Sequence, residues 1–595
     1  MLDDTGKHVD GTKLLTTTDE NIGASSMIAC EFVIGITGHR DPVKDDVIAL
    51  KKSIVHALGN VRNKFKDLPV RLVTGLAEGA DTLAAEVALD MGLLVTAVLP
   101  MPRALYEQDF RGAALERFNE LVDDPRMECY EVPLVDGNVG KTELSDADRV
   151  VQYEMLGDFL VRRSNVLMAL WDGKTLTEKG GTSDVITTYL AGRAQHQEPV
   201  MLPSGNIHFE DCGELAIWIK TPRASDPKSV EAGAAAYLVS DASGASFQEM
   251  KDIPQTFMDR WSGFETYARD RFSDLAADQT AWPLAQHDGF GESAQAQAIN
   301  REFLRADQLA MANQKNSDML FKAFGLIAGA MGLLFLVYAK LSAVKIYLVL
   351  YVALFVVGYL FFKLSSSRHW LGKHLSYRAL AETMRVQYFL LVSGAGDRFS
   401  VRRVMSLTSV DRFQRFEWLP DAARCMEPVT FENHKPSAEK MKAVHDYWID
   451  DQSKYFSKKL HQLHHQHERL EVIKTALLLG SVLGALALIL FKYELKKMGM
   501  GGFDAKTWLV FFMGLLPLWL AVWELYQGKM ATRELIWQYA NQRRYFVAAR
   551  DQMVACTTQE AKGRIVSDLA ERALAEIYLW SAHRFHREHE PPAAG

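Results

Sequence analysis

Cysteine is scarce in this chain. The five present, Cys30, Cys129, Cys212, Cys425 and Cys556, are odd in number, far apart and never paired as CxxC. That pattern excludes a cysteine-rich zinc centre and fits a reducing compartment. An excess of positive charge is also missing, since 67 Lys+Arg stand against 74 Asp+Glu and the formal net charge is -7. A chain built to hold nucleic acid needs a basic footprint, so nucleic acid is not an expected partner. No basic stretch leads into an apolar one near the N-terminus, and no signal peptide is expected there. Residues 1–30 are polar and read as disordered. Before residue 318 no apolar run reaches membrane length.

What is present begins with short, continuous apolar runs at Phe32–Ile36, Val70–Val73, Leu93–Leu99, Cys129–Val132, Val166–Trp171 and Pro199–Leu202. Runs of this kind suit strands covered on both faces. Helical periodicity fills the intervals, around Val43–Phe65, Asp81–Met91, Phe110–Val122, Ala147–Arg163 and Asp184–Gln195. Strand–helix alternation implies a parallel sheet wrapped by helices, so residues 31–222 are expected to form an α/β, Rossmann-like domain. Residues 223–318 are polar and Ala/Gln-rich, with Trp261, Tyr267, Phe272 and Trp282 as anchors, and read as a helical linker.

Beyond 318 the chain changes character. Ala323–Ala339 and Ile346–Phe362 form one pair of charge-free apolar segments, and Thr475–Phe491 and Thr507–Trp523 form another. Each is just long enough to cross a bilayer, and the short connections read as hairpins. The expected C-terminal half is therefore an all-α membrane domain with four transmembrane helices in two hairpins. Residues 319–395 form the first unit, 396–470 a cytosolic helical connector, 471–550 the second unit, and 551–595 an amphipathic docking or oligomerising helix. Lys363, Arg368, Lys373 and Arg378 follow the first hairpin, while Lys458, Lys459, Arg469, Lys474, Lys529 and Arg533 flank the second. The positive-inside rule then places both termini in the cytoplasm of a multi-pass inner-membrane protein, against which stand Lys492, Lys496, Lys497 and Lys506 in the second loop. Tyr377–Glu382 with Arg385 after the first hairpin, and Arg533–Leu535 with Arg543–Phe546 after the second, read as a weak internal repeat.

Three glycine-bearing loops carry the chemistry. Gly35-Ile36-Thr37-Gly38-His39-Arg40-Asp41 runs from a strand into a loop where glycines admit a phosphate and Arg40 can pair with its oxygens. Gly75-Leu76-Ala77-Glu78-Gly79-Ala80-Asp81 is a second strand–turn–helix, with Asp81 either a helix N-cap or a ligand contact. Trp171-Asp172-Gly173 and Gly180-Gly181-Thr182-Ser183-Asp184 are the third. There Thr182 and Ser183 can donate to phosphate, and Asp172 or Asp184 can accept from a ribose hydroxyl. In an open parallel sheet all three loops share one edge, the place where ligands bind.

These strings, GITGHRD, GLAEGADTLAAEVAL, AVLP at Ala97–Pro100 and GGTSD, resemble the SLOG domain over Glu31–Thr221. The resemblance implies a Rossmann-like fold that binds nucleotide-derived ligands, for instance a cyclic oligonucleotide, an ADP-ribose derivative or NAD. The related LOG enzymes hydrolyse nucleotides and carry a longer PGGxGTxxE string. Here only Gly180-Gly181-Thr182 remains, without the proline and with Asp184 nearer than the family's glutamate. The first hairpin with Tyr377-Arg378-Ala379-Leu380-Ala381-Glu382 and Arg385 resembles the SLATT module, a two-helix membrane unit of bacterial conflict systems. Arg378, Glu382 and Arg385 share one helix face, either as a juxtamembrane ion-pair strip or as a coupling helix. His461 and His465 lie one turn apart, a spacing that suits zinc or simply a solvated face, and no metal site is expected.

Two functions compete on this reading. One is a ligand-gated homo-oligomeric membrane effector, acting as an ion channel or by membrane disruption in antiviral defence, with the lipid bilayer and a nucleotide second messenger as partners. The other is a membrane-tethered nucleotide or NAD N-glycosidase using Glu78, Asp81, Asp172 or Asp184. A scaffold with a vestigial pocket ranks below both.

Overall fold

The computed structural model describes residues 30–586 except 136, 176–178, 192–213, 241–246, 273–283, 285–292, 397–398, 400, 409–414, 428–436, 501 and 531. The N-terminal layer runs β1 (Phe32–Gly38), α1 (Val47–Lys64), β2 (Val70–Thr74), α2 (Ala80–Asp90), β3 (Leu94–Leu99), α3 (Arg103–Tyr106), α4 (Ala113–Val122), β4 (Met127–Glu131), α5 (Asp146–Arg163), β5 (Val166–Trp171) and α6 (Thr182–Leu190). It closes with β6 (Leu215–Lys220), β7 (Ala235–Ser240) and β8 (Phe247–Met250). These strands form one eight-stranded sheet in the order β4-β3-β2-β1-β5-β6-β7-β8. The pairings from β4 across to β6 are parallel, and β7 and β8 add to the edge antiparallel.

The continuous apolar runs explain the parallel part. In β1, Phe32, Ile34 and Ile36 face the core shared with α1 and α2. Val33 faces the other way, with Val73, Val98 and the α5 residues Leu156 and Leu160. Leu167, Ala169 and Trp171 of β5 pack on Val185, Ile186 and Tyr189 of α6. Both sheet faces are thus covered, which is what a strand without polar alternation requires. α5 starts with a capping box between Ser145 and Asp148.

Residues 223–318 are not a helical linker. They supply β7 and β8, then α7 (Gln255–Phe272) and the start of α8 (Ala294–Lys340). Trp261 and Tyr267 are buried, and Phe32 meets Trp261 edge-on at 5.2 Å. Composition concealed this, since β8 is polar, with Gln248 and Glu249 exposed, and β7 is a short Ala-rich string. The expected strand at Pro199–Leu202, the anchor Trp282 and the disorder of residues 1–29 lie outside the described residues.

The helical half continues with α9 (Ile346–Arg368), α10 (Trp370–Ser393), α11 (Val401–Thr408), α12 (Leu419–Arg424), α13 (Ala438–Val444), α14 (Asp451–Lys497), α15 (Ala505–Met530), α16 (Thr532–Ala555) and α17 (Gln559–His586). Between α14 and α15 a two-stranded ribbon pairs β9 (Gly499–Met500) with β10 (Phe503–Asp504). Four helices among the described residues are long and apolar enough to cross a membrane. Their apolar windows are almost wholly unburied, as lipid-facing surface would be.

α8 and α15 approach closely where Gly332 faces Leu518 and Gly514 faces Leu336. A Cβ on either glycine would fall 2.5 or 2.8 Å from the facing leucine. Small residues at such crossings are how helices pack where no hydrophobic drive separates helix from lipid.

Several expected boundaries fall inside continuous helices. Residue 318 lies within α8, residue 470 within α14 and residue 550 within α16. The two halves are built alike: α8 has 47 residues and α14 has 47 with a break at Phe491, and the helices following the hairpins, α10 and α16, both have 24. In each half the 24-residue helix folds back on the 47-residue one. The C-terminal helix α17 docks within the chain, with Val566, Leu574 and Tyr578 buried. The Tyr578 hydroxyl lies 2.6 Å from that of Thr383 in α10.

Candidate ligand-binding site

Strand order reverses between β1 and β5, because successive crossovers run outward from β1 in one direction and then resume on its other side. The loops leaving the C-terminal ends of these neighbours diverge and leave a crevice between them. A cleft of about 250 Å³ lies there. Gly38, His39 and Arg40 from the first loop border it, with Asp81 from the second and Gly180, Gly181, Thr182 and Ser183 from the third.

The glycines of the first two loops act mainly on each other. A Cβ on Gly38 would lie 2.3 Å from that of Ala80. Gly79 has φ +90, and a side chain there would strike the His39 and Arg40 carbonyls at 2.5–2.7 Å. These contacts dock the start of α2 on the β1 loop, where the Ala80 N–H donates to the His39 carbonyl at 3.1 Å. Gly75 is likewise structural, its carbonyl accepting from the buried Tyr106 hydroxyl at 3.1 Å. At the third loop Gly180 has φ +69 and lies against Tyr153 and Glu154 of α5. Gly181 forms the N-cap of α6 with no side-chain cap, so that helix end faces the cleft.

The carboxylates divide by surroundings. Glu78 is exposed and does not border the cleft. Asp184 accepts from the Gly180 N–H at 2.8 Å, which folds the third loop. Asp172 accepts from the Lys174 N–H at 3.1 Å. Its backbone N–H donates to His39 Nε2 at 3.0 Å, and its carboxylate oxygen lies 3.2 Å from the same nitrogen. Burial lowers the His39 pKa against the pull of Asp172, in keeping with a neutral ring whose Nε2 accepts.

Asp81 alone among the four carboxylates borders the cleft. Gly79, not Asp81, is the N-cap of α2, so Asp81 sits in the first turn. Burial pushes its carboxyl up to about 7, although backbone hydrogen bonds from Ala77 and Gly75, the charge of Arg40 and the Thr74 hydroxyl all favour the ionised form.

Three lining residues with polar side chains escaped the sequence reading: Tyr106, Tyr153 and Arg223. Arg40 lies over the Tyr153 ring at 4.9 Å. Desolvation opposes its charge, but Tyr153, Tyr106 and Asp109 outweigh that and hold its pKa above the usual arginine value. The Tyr153 hydroxyl donates to Asp109, which Arg149 also binds, and burial pushes the phenol up to about 12. Arg223 arrives from the end of β6 and donates to Asp41 at 3.0 Å. Only its place after a strand adjoining β5 could have marked it. The cleft thus combines two guanidinium groups, one helix N-terminus, two tyrosines and a buried carboxyl. Such a set suits an anionic ligand with a planar group.

The opposite ends of β1 and β5 rest on the helical half. Asn165, just before β5, accepts from the Val33 N–H at 2.8 Å and donates to the Asp421 carbonyl of α12 at 2.8 Å. Arg424 of α12 donates to the Arg162 and Val161 carbonyls at the end of α5, at 2.9 and 2.7 Å, and to Glu214 at 2.8 Å. Behind α12, Gln387 of α10 donates to the Ala423 carbonyl at 3.1 Å.

The expected coupling strip lies between α10 and α8. Arg378 pairs with Asp307 of α8 and, at 2.5 Å, with Glu382. Arg385 donates to both Glu382 oxygens at 2.8 and 2.9 Å and lies over Phe303 of α8 at 5.0 Å. Burial works against the Glu382 charge, but the two arginines outweigh it and lower its pKa. His461 and His465 stack edge to face at 4.4 Å, and no metal-binding group of three or more residues occurs among the described residues.

Comparison with family models and with curated proteins finds no match.

Proposed function

We propose that the protein is a membrane effector whose SLOG-like layer binds a nucleotide-derived anion and passes its occupancy to the apolar helices, opening a pore or disrupting the bilayer. The observation that carries this reading is the placement of α5. Its residues Tyr153, Leu156, Gly157 and Leu160 line the cleft, and its last carbonyls are held by Arg424 of α12. From α12 the path runs through Gln387 into α10, which follows the apolar helix α9 almost directly. A ligand that favours one setting of α5 shifts the balance between two arrangements of the whole. Assembly of several copies supplies a pore that four nearly charge-free helices do not line by themselves. The resemblance to conflict-system modules supports antiviral defence as the setting of this action.

The hydrolase reading is weaker. Of its four candidate carboxylates, one is exposed, two hold loops through backbone N–H groups, and only Asp81 borders the cleft.

The test is to reconstitute the full chain in dye-loaded liposomes and add NAD, ADP-ribose or cyclic oligonucleotides on the side of the sheet layer. Release triggered by one of these without turnover, and lost in Arg40→Ala, is the expected result. Base release from the ligand with no leakage would replace the effector reading with the hydrolase.

A further inference from the structure

Both hairpin tips lie at the same end of the helix bundle. The crossings Gly332–Leu518 and Gly514–Leu336 run α8 antiparallel to α15, so the last turn of α8 stands beside the first turn of α15. Residues 340–345 and 492–506 together bring six lysines to this end, Lys340, Lys345, Lys492, Lys496, Lys497 and Lys506, with only two carboxylates, Glu494 and Asp504. Lys340, Lys345, Lys492, Lys496 and Lys497 are exposed.

Helix chemistry explains some of these charges but not all. Lys340 and Lys492–Lys497 sit at C-terminal helix ends, where a cation is favoured. Lys345 is the N-cap of α9 and Lys506 lies in the first turn of α15, where the helix end is already positive. A cation there gains from an added counter-charge, which Asp504 supplies in part beside Lys506.

The shape of the second tip points the same way. α14 leaves helical geometry at Phe491 (φ -119, ψ 18), where its charge-free stretch ends, and a Lys-rich turn and the β9–β10 ribbon follow. Tyr493, Met498 and Phe503 are exposed there, and Trp508 stacks on Phe512 at 6.0 Å. Exposed aromatics interleaved with lysines beside an apolar belt have the make-up of a surface that rests in the head-group layer.

We infer that the two hairpin tips form one docking face for anionic phospholipid head groups in the leaflet opposite the sheet layer. The phosphodiester supplies the counter-charge for Lys345 and Lys506, while Tyr493, Met498 and Phe503 enter the acyl boundary. The inference goes beyond the effector function and needs only that the four apolar helices cross a bilayer.

The experiment reconstitutes the full chain in vesicles of phosphatidylcholine and phosphatidylglycerol, extracts it with its lipid annulus in a polymer nanodisc, and measures the ratio of the two lipids by mass spectrometry. The wild type is expected to hold phosphatidylglycerol above the bulk ratio, about fivefold in local occupancy for each lysine engaged. Replacing Lys340, Lys345, Lys492, Lys496, Lys497 and Lys506 by Gln should remove most of that enrichment, and replacing the same six by Arg should restore it. Changing Lys458 and Lys459, on the other side of the bundle, to Gln should leave the contribution of the tips intact. Wild-type enrichment in the Gln variant, or none in the wild type, overturns the proposal. Alkaline extraction of each variant checks bilayer insertion separately, so a failure to insert is told apart from a failure to select lipid.

Discussion

Asp81 has the most consequential surroundings of any residue at the cleft. Its carboxyl titrates at about 7 in the fold and near 3.8 in the unfolded chain, so folding favours the neutral acid. The stability this lends is full below the unfolded value, falls as pH rises through the window from 3.8 to about 7, and is gone above it. Asp81→Asn keeps an acceptor for the Ala77 and Gly75 N–H groups without a charge. The variant should therefore gain thermal stability relative to wild type as pH moves from about 5 to about 8. A melting-temperature difference that stays flat across that range would sink the assignment. The same titration governs anion binding. Inorganic phosphate or a nucleotide should bind more weakly as Asp81 ionises beside it, and Asp81→Asn should lose that step in a calorimetric pH series. Gly79 poses a simpler test: with φ +90 and two carbonyls within 2.7 Å of a Cβ, Gly79→Ala should cost about 1–3 kcal/mol in chemical denaturation.

Among the elements, α12 is short but central. Arg424 holds two carbonyls at the end of α5 and the buried Glu214. Removing its side chain takes the arginine charge from that carboxylate and a donor from both carbonyls, so Arg424→Ala should destabilise by about 3–5 kcal/mol. Arg424→Lys should recover little, because a single ammonium does not span three acceptors. On the proposed function, a stable variant at this joint binds ligand yet fails to release dye, a split that liposome flux beside calorimetry would read. None of this was legible in the sequence, since α12 is six residues between stretches with no periodic signal. The strands β1 to β5 were legible to within about two residues, most clearly β1 and β5, where burial on both faces leaves an apolar string, and least in β4, an edge strand whose residues are mostly exposed. The strands β7 and β8 were not, as β8 is polar and β7 is a short Ala-rich string that follows a polar stretch. The cleft was half legible: glycine loops after strands announce an edge, whereas Tyr106, Tyr153 and Arg223 reach it through tertiary packing alone.

At the scale of the molecule, the sheet layer and the helices outside the apolar bundle share one continuous core, in which Phe32 and Phe65 pack on Trp261 of α7. A fragment cut at Pro222, where the alternating pattern stops, would expose the β6 edge and strip α7 from β1. It should aggregate on gel filtration, while one extended through Phe272 should run smaller and more soluble. The two halves of the membrane region differ in their return helices. At the offsets of Arg378, Glu382 and Arg385 in α10, α16 carries Ala540, Arg544 and Val547. Among the described residues the Arg-Glu-Arg strip occurs in the first hairpin, whereas α16 meets α14 through Arg533 and Glu471 at 3.9 Å. Glu382→Gln should therefore loosen α8 from α10 and leave α14 with α16 unaffected, which hydrogen exchange along those helices would resolve.

α8 runs from the large core into the apolar bundle as one 47-residue helix, about 70 Å long, and α14 does the same as far as its break at Phe491. On the proposed function each acts as a lever pivoting at the bilayer surface. A tilt of roughly 5° carries one end about 6 Å relative to the other, on the rise of an ideal helix. On the proposed function, a small rearrangement around the crevice thus has a mechanical route to a displacement wider than a water molecule on the far side of the membrane.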